Sequence, residues 1–88
     1  MLACDRYGML VMAELTDMWN YRKSENDFSE NFETDWKQSA EALVNLCFNH
    51  PSVVMYSIGN EIQEVGTERG AEINRTSIFY CRCLLLYL

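Results

Sequence analysis

The sequence predicts an α/β fold built of about two parallel strands with their helices. Three observations carry this. Val53 to Ile58 is β-branched and largely apolar, as a strand buried on both faces requires, and Pro51 stops the helix before it. A second apolar run, Met9 to Leu15, precedes it, and one long helical pattern lies between the two. A strand–helix–strand unit of this size makes a right-handed parallel crossover.

The elements follow in order. Leu2 to Tyr7 reads as the end of a helix, with Gly8 as the residue that closes it. Met9 to Leu15 is a strand. Thr16 to Asp27 is polar with Trp19, Tyr21 and Phe28 in or beside it, which reads as a long loop on the face where strands end. Asp27 and Glu30 have capping-box spacing before a helix over about Phe28 to Phe48. Phe32, Trp36, Ala40, Leu43 and Cys47 recur there at steps of three and four and form its buried face, while Glu33, Lys37 and Glu41 stay wet. After the strand at Val53, Gly59 lets the backbone turn. A further turn passes Gly66, and Thr67 caps a last helix running past Ala71, Ile73 and Ile78. There is no internal repeat, low-complexity stretch or Gly/Pro linker, so one partial domain, 1–88, is the simplest count.

Composition excludes several partners. Seven Lys and Arg against thirteen Asp and Glu give a net charge of −6, which argues against nucleic acid or an anionic membrane. The apolar end from Ile78 to Leu88 contains Arg82 and is shorter than the roughly 20 residues that cross a bilayer. Met1 to Asp5 has no charged region followed by an apolar run, so no signal peptide is visible there. Among the four cysteines, Cys4 and Cys47 fall in helices, and Cys81 and Cys83 form a single C-x-C with no second pair at zinc spacing, so free thiols are expected.

The chemistry-bearing segment is Asn49-His50-Pro51-Ser52-Val53-Val54-Met55-Tyr56-Ser57-Ile58-Gly59-Asn60-Glu61, which runs the strand straight into an Asn-Glu pair. An earlier block, Cys4-Asp5-Arg6-Tyr7-Gly8-Met9-Leu10-Val11-Met12-Ala13-Glu14, leads into Asp17-Met18-Trp19-Asn20-Tyr21. Over residues 2 to 84 the chain resembles the catalytic barrel of glycoside hydrolase family 2, the family of many β-galactosidases, β-glucuronidases and β-mannosidases. The first segment looks like that family's acid/base strand and the second like the strand before it. The resemblance implies a (β/α)8 barrel, β-galactosidase-like, of which these are the third and fourth strands. A complete barrel needs about 250 residues, so this chain supplies about a third of one.

The same resemblance assigns roles. Glu61, at the carboxyl end of its strand, where βα loops open onto the pocket, is the acid/base of a retaining mechanism. Asn60 donates to the sugar 2-hydroxyl. Asp17 and Trp19 bind substrate, since an indole packs on a pyranose face and a carboxylate accepts hydroxyl hydrogen bonds; packing of the loop explains the aromatic equally well. Glu14 supports the pocket or the barrel interior. Glu64 lies three residues after Glu61 with nothing to aim it across the pocket, and His50, at the other end of the strand, is structural. No metal or cofactor is carried over, because the loop lacks the family's magnesium-binding Glu-x-His. The nucleophile lies on a later strand of the family, so the isolated polypeptide is expected to turn over no glycoside and to need the remainder of the barrel.

The chain departs from the family at Ala13, where Asp is usual, at Leu46-Cys47, where Arg-Asp is usual, and at Tyr56, where Trp is usual. Its end, Leu84-Leu85-Leu86-Tyr87-Leu88, replaces a polar turn and a further strand. Two other readings stand beside the enzymatic one: a non-catalytic acidic interaction module that docks through the Phe32–Cys47 face and the apolar tail, and a degenerate product that never folds.

Overall fold

The computed structural model describes residues 1–85, with side chains as far as Ser77. The expectations for Ile78, Cys81, Cys83 and the apolar end therefore lie outside the described side chains. Helix α1 (Leu2–Tyr7) leads into strand β1 (Val11–Glu14), helix α2 (Phe32–Cys47), strand β2 (Val53–Ser57) and helix α3 (Glu68–Leu85), and single 3-10 turns at Phe28–Glu30 and Gln63–Gly66 precede α2 and α3. The order is the expected one. Gly8 ends α1 in the left-handed conformation, φ 69°, and the Met9 amide donates to the Cys4 carbonyl at 3.0 Å. A residue without Cβ reaches that conformation at least cost.

The strands pair in parallel, Met12 beside Met55, Ala13 beside Tyr56 and Glu14 beside Ser57, with a register shift between Val11 and Met12. The sheet has these two strands alone among the described residues. Here the structure departs from a β2 buried on both faces: Val54, Met55 and Met12 are each 58 % exposed. Successive side chains alternate between the faces of a sheet, so Val54 and Met55 point to opposite sides, and their exposure shows that both faces of the two strands are incompletely covered.

The core gathers under that helical layer. Trp19, Phe32, Trp36 and Ile73 form a buried cluster, with Phe28, Ile58 and Ile62 packed on it. Phe32 stacks between Trp19 and Trp36, with centroids 6.0 Å away on both sides. On α2 the buried residues are Phe32, Trp36, Ala40, Val44 and Cys47. The expected Leu43 is only half-buried: the stripe keeps steps of four through Val44, which leaves Leu43 at its margin beside Leu15, Tyr56 and Ile58.

α2 also starts later than expected. Asp27 caps as predicted, its carboxylate accepting the Ser29 amide at 2.9 Å, but what it caps is the 3-10 turn Phe28–Glu30, and Asn31 resets the chain before Phe32. Asp27 further accepts the amides of Lys23 (2.7 Å) and Ser24 (2.9 Å), which closes the neck of the preceding loop. The Ser29 hydroxyl, followed by these amides, holds the Asp27 carboxyl well below the usual carboxylate range. Thr67 caps α3: its hydroxyl accepts the Gly70 amide at 3.0 Å and donates to the Glu64 carbonyl at 2.7 Å.

At the amino end of the sheet, the Asp5 carboxylate binds His50 Nδ1 with one oxygen and accepts the Ser52 amide at 2.9 Å with the other. His50 is thus the structural residue it was expected to be, tying α1 to the start of β2. The hydrogen bond to His50, with the smaller help of Ser52, lowers the Asp5 pKa from 3.8 to about 2. A carboxyl depressed by folding stabilises above its unfolded pKa and loses that contribution as pH falls through the folded one. The stability gap between wild type and Asp5→Asn should therefore be open at pH 4 and above and close between about pH 4 and pH 2. Urea titrations at stepped pH check this, and a gap that persists at pH 2 would contradict it.

Candidate active site

Both strands point their carboxyl ends at the same edge of the sheet, and the polar side chains collect there. Glu14 ends β1 and Ser57 ends β2, and the Ser57 hydroxyl donates to Glu14 Oε2 at 3.0 Å. Glu14 is thereby tied to the sheet, in keeping with a supporting role.

Beyond Ser57 the chain bends through Ile58, Gly59, Asn60 and Glu61. The left-handed residue of this bend is Glu61, φ 46°, and not Gly59. Gly59 serves a different need: a Cβ there would lie 2.5 Å from Ile62 Cδ1 and 3.1 Å from Trp19 Nε1. Its smallness lets the bend press against the core. A non-glycine residue at positive φ stores strain of order 1–3 kcal/mol and persists where its surroundings over-determine it. Glu61 and Asn60 are exposed, and the Glu61 carboxylate makes no hydrogen bond among the described residues, which leaves it available to a ligand.

The loop from Thr16 to Asp27 lies over this bend and is fixed at three places. Trp19 Nε1 donates to the Ile58 carbonyl at 2.9 Å. The amides of Asn20 and Tyr21 donate to Glu64 Oε1 at 2.7 and 3.0 Å. Asp17 Oδ1 accepts Asn60 Nδ2 at 3.1 Å, and Lys23 Nζ donates to the same Asp17 oxygen, to the Asp17 carbonyl and to the Asn60 carbonyl.

Glu61, Asn60 and Asp17 therefore come together as the sequence led one to expect. Trp19 does not join them. It is 1 % exposed and stacked on Phe32, so no ring face is open to a pyranose. Of the two explanations the sequence left open for this residue, core packing is the one realised. Tyr21, 56 % exposed, is the loop aromatic turned to solvent.

Two residues at this edge were given no structural role by the sequence. Glu64 is 5 % exposed, and its carboxylate is spent on backbone amides of the loop, a partnership across more than forty positions that no local pattern announces. Lys23 is a polar loop residue in the sequence and a junction in the structure. Arg69 adds an outer brace, pairing with Glu33 and with Glu72, while Asn20 Nδ2 donates to Glu33 at 2.7 Å.

Comparison with known proteins gives one consistent result. The family model of the glycosyl hydrolases family 2 TIM barrel domain matches residues 1–78. A β-galactosidase of Bacteroides ovatus, BoGH2A, is 38 % identical over 69 residues, covering 78 % of this chain and 8 % of that protein. A Formosa agariphila protein provisionally named a β-glucuronidase is 34 % identical over 58 residues, 66 % of this chain and 6 % of that protein. The crystal structure of a glycosyl hydrolase family 2 member from Bacteroides cellulosilyticus superposes with a TM-score of 0.85 at 41 % identity, over 94 % of this chain and 11 % of that one. The chain thus spans about a tenth or less of the relatives it matches.

Proposed function

The chain belongs to the TIM barrel domain of glycosyl hydrolase family 2, and from that premise we propose that it forms the acid/base half of a retaining, β-galactosidase-like active site. The observation that supports this best is the unpartnered Glu61 carboxyl, presented by a left-handed bend at the carboxyl end of β2, with Asn60 and Asp17 beside it.

In the retaining mechanism, one carboxylic acid protonates the glycosidic oxygen while a carboxylate roughly 5 Å away attacks the anomeric carbon, and the first group then takes a proton from the incoming water. Glu61 fills the first role. Asn60 retains one amide N–H beyond the one given to Asp17, and it donates this to the sugar 2-hydroxyl. Asp17 accepts from a sugar hydroxyl with the oxygen that Lys23 and Asn60 leave free. The attacking carboxylate comes from another part of the barrel, so this chain by itself turns over no β-glycoside. Met12 and Met55 pair with each other and are exposed, and on this reading the remainder of the domain covers them, which makes that remainder the partner and serves the interaction reading as well.

The test is a chimera of the Bacteroides ovatus relative in which its matching segment is replaced by this chain. Glu61→Gln in the chimera should lower hydrolysis of an alkyl β-galactoside by about 10²–10⁴-fold, the range over which general acid catalysis contributes. Equal activity of the two forms would remove Glu61 from the mechanism.

A further inference from the structure

We propose that Lys23 is a positioning residue that holds the Asn60–Glu61 peptide in the orientation needed for Glu61 to adopt its left-handed backbone; its relevance to catalysis rests on the acid/base reading of Glu61. An ammonium carries three N–H donors. All three of those on Lys23 are used: on the Asp17 carbonyl at 2.6 Å, on Asp17 Oδ1 at 3.3 Å and on the Asn60 carbonyl. None remains for a charged group of a substrate, so Lys23 acts through its neighbours and does not read the sugar.

The Asn60 carbonyl is the informative acceptor. It belongs to the peptide that joins Asn60 to Glu61, and the plane of that peptide sets one side of the Glu61 φ rotation. The other side is set by Ile62, which packs on the buried cluster of Trp19, Phe32, Trp36 and Ile73. Glu61 at φ 46° is therefore gripped from both directions, by an ion-paired lysine upstream and by the core downstream. Without the upstream grip, the peptide plane can rotate and φ can relax to the negative values that L-residues prefer. Asp17 orients the grip: it neutralises Lys23 and receives Asn60 Nδ2 on the same oxygen, so the side chain and the main chain of Asn60 are held by one pair.

Two measurements on the full chain decide it. A residue near φ +60° has its amide proton and Hα unusually close, so Glu61 should show a strong intraresidue amide–Hα nuclear Overhauser effect. Lys23→Met keeps the aliphatic stem, loses the donors and should abolish that signal, while Lys37→Met should leave it in place. Loss of loop packing would also release Trp19, so the Trp19 indole N–H, bonded to the Ile58 carbonyl, should keep its resonance in Lys23→Met. Lys37 is also the second lysine of the chain and lies exposed over the Trp36 ring, which makes it the internal reference for amine acetylation. Lys23 should react several-fold more slowly than Lys37 and approach it in Asp17→Asn. An unchanged Glu61 signal in Lys23→Met, or equal reactivity of the two lysines in the wild type, overturns the proposal. Neither readout depends on turnover: a failure here leaves Glu61 as acid/base standing, and a failure of Glu61→Gln in the chimera leaves the grip standing.

Discussion

Trp19→Ala is expected to lower the unfolding free energy by about 3–5 kcal/mol, the cost of deleting a large aromatic from a packed core. Trp19 is 1 % exposed and stacks on Phe32, which carries the contact to Trp36. Its removal opens the centre of the cluster. It also strips the Ile58 carbonyl of a 2.9 Å hydrogen bond, and an acceptor left unpaired in a buried setting costs about 1–3 kcal/mol. Trp19→Phe separates the two contributions, since it keeps a stacking ring and loses the indole N–H, and it should cost distinctly less than alanine. Urea unfolding followed by far-ultraviolet circular dichroism checks both. A loss under about 1 kcal/mol for Trp19→Ala would show that the core collapses around the gap and that Trp19 is not its centre.

The second large effect is expected at Gly70, inside the first turn of α3. Alanine is favoured over glycine in a helix by about 1 kcal/mol, so propensity alone predicts a gain. Contact predicts the reverse. A Cβ at Gly70 would lie 2.0 Å from the Glu64 carbonyl oxygen and 2.7 Å from its carbon, and both are backbone atoms that no rotamer change can withdraw. The connection through Gln63–Gly66 must then separate from α3, which also breaks the bonds that Thr67 makes to both. Overpacking of this kind costs typically 1–3 kcal/mol and here meets main chain, so Gly70→Ala should destabilise by about 3 kcal/mol. Gly66→Ala is the matched control. Nothing lies within 4 Å of a Cβ at Gly66, and its effect should stay within about 0.5 kcal/mol. Thermal or urea unfolding of the two variants side by side tests the contrast, which disappears if α3 can slide to admit the methyl group.

What the sequence made legible followed from local rules. Gly8 announced the end of α1, Asp27 and Thr67 announced caps, and the β-branched run after Pro51 announced β2 with Asn60 and Glu61 at its end. The misses came where position is decided across the fold. Leu43 and Val44 are both apolar and both near the stripe, and only the direction of the partner surface chooses between them. Gly59 and Glu61 were both able to turn the chain; the crowding of Ile62 and Trp19 against Gly59 assigned it to close approach and passed the positive φ to Glu61. Trp19 had the composition of a sugar platform, yet the core lay beneath it. Glu64 and Lys23 carry no local signal for their roles, because the loop amides that Glu64 accepts and the Asn60 carbonyl that Lys23 reaches lie some forty residues away in the chain.

Glu61 and Glu64 leave the same short connection for different surroundings, one exposed to solvent and one buried, where it grips the loop. If Glu61 is the acid proposed above, the acid and the loop share one anchorage. On the proposed reading, Glu61, Asn60 and Asp17 would then move as a single body within a surrounding barrel. The misalignment left to thermal motion is then concentrated in the gap between that body and the opposing wall, so the tolerance of such a site is set chiefly by one separation.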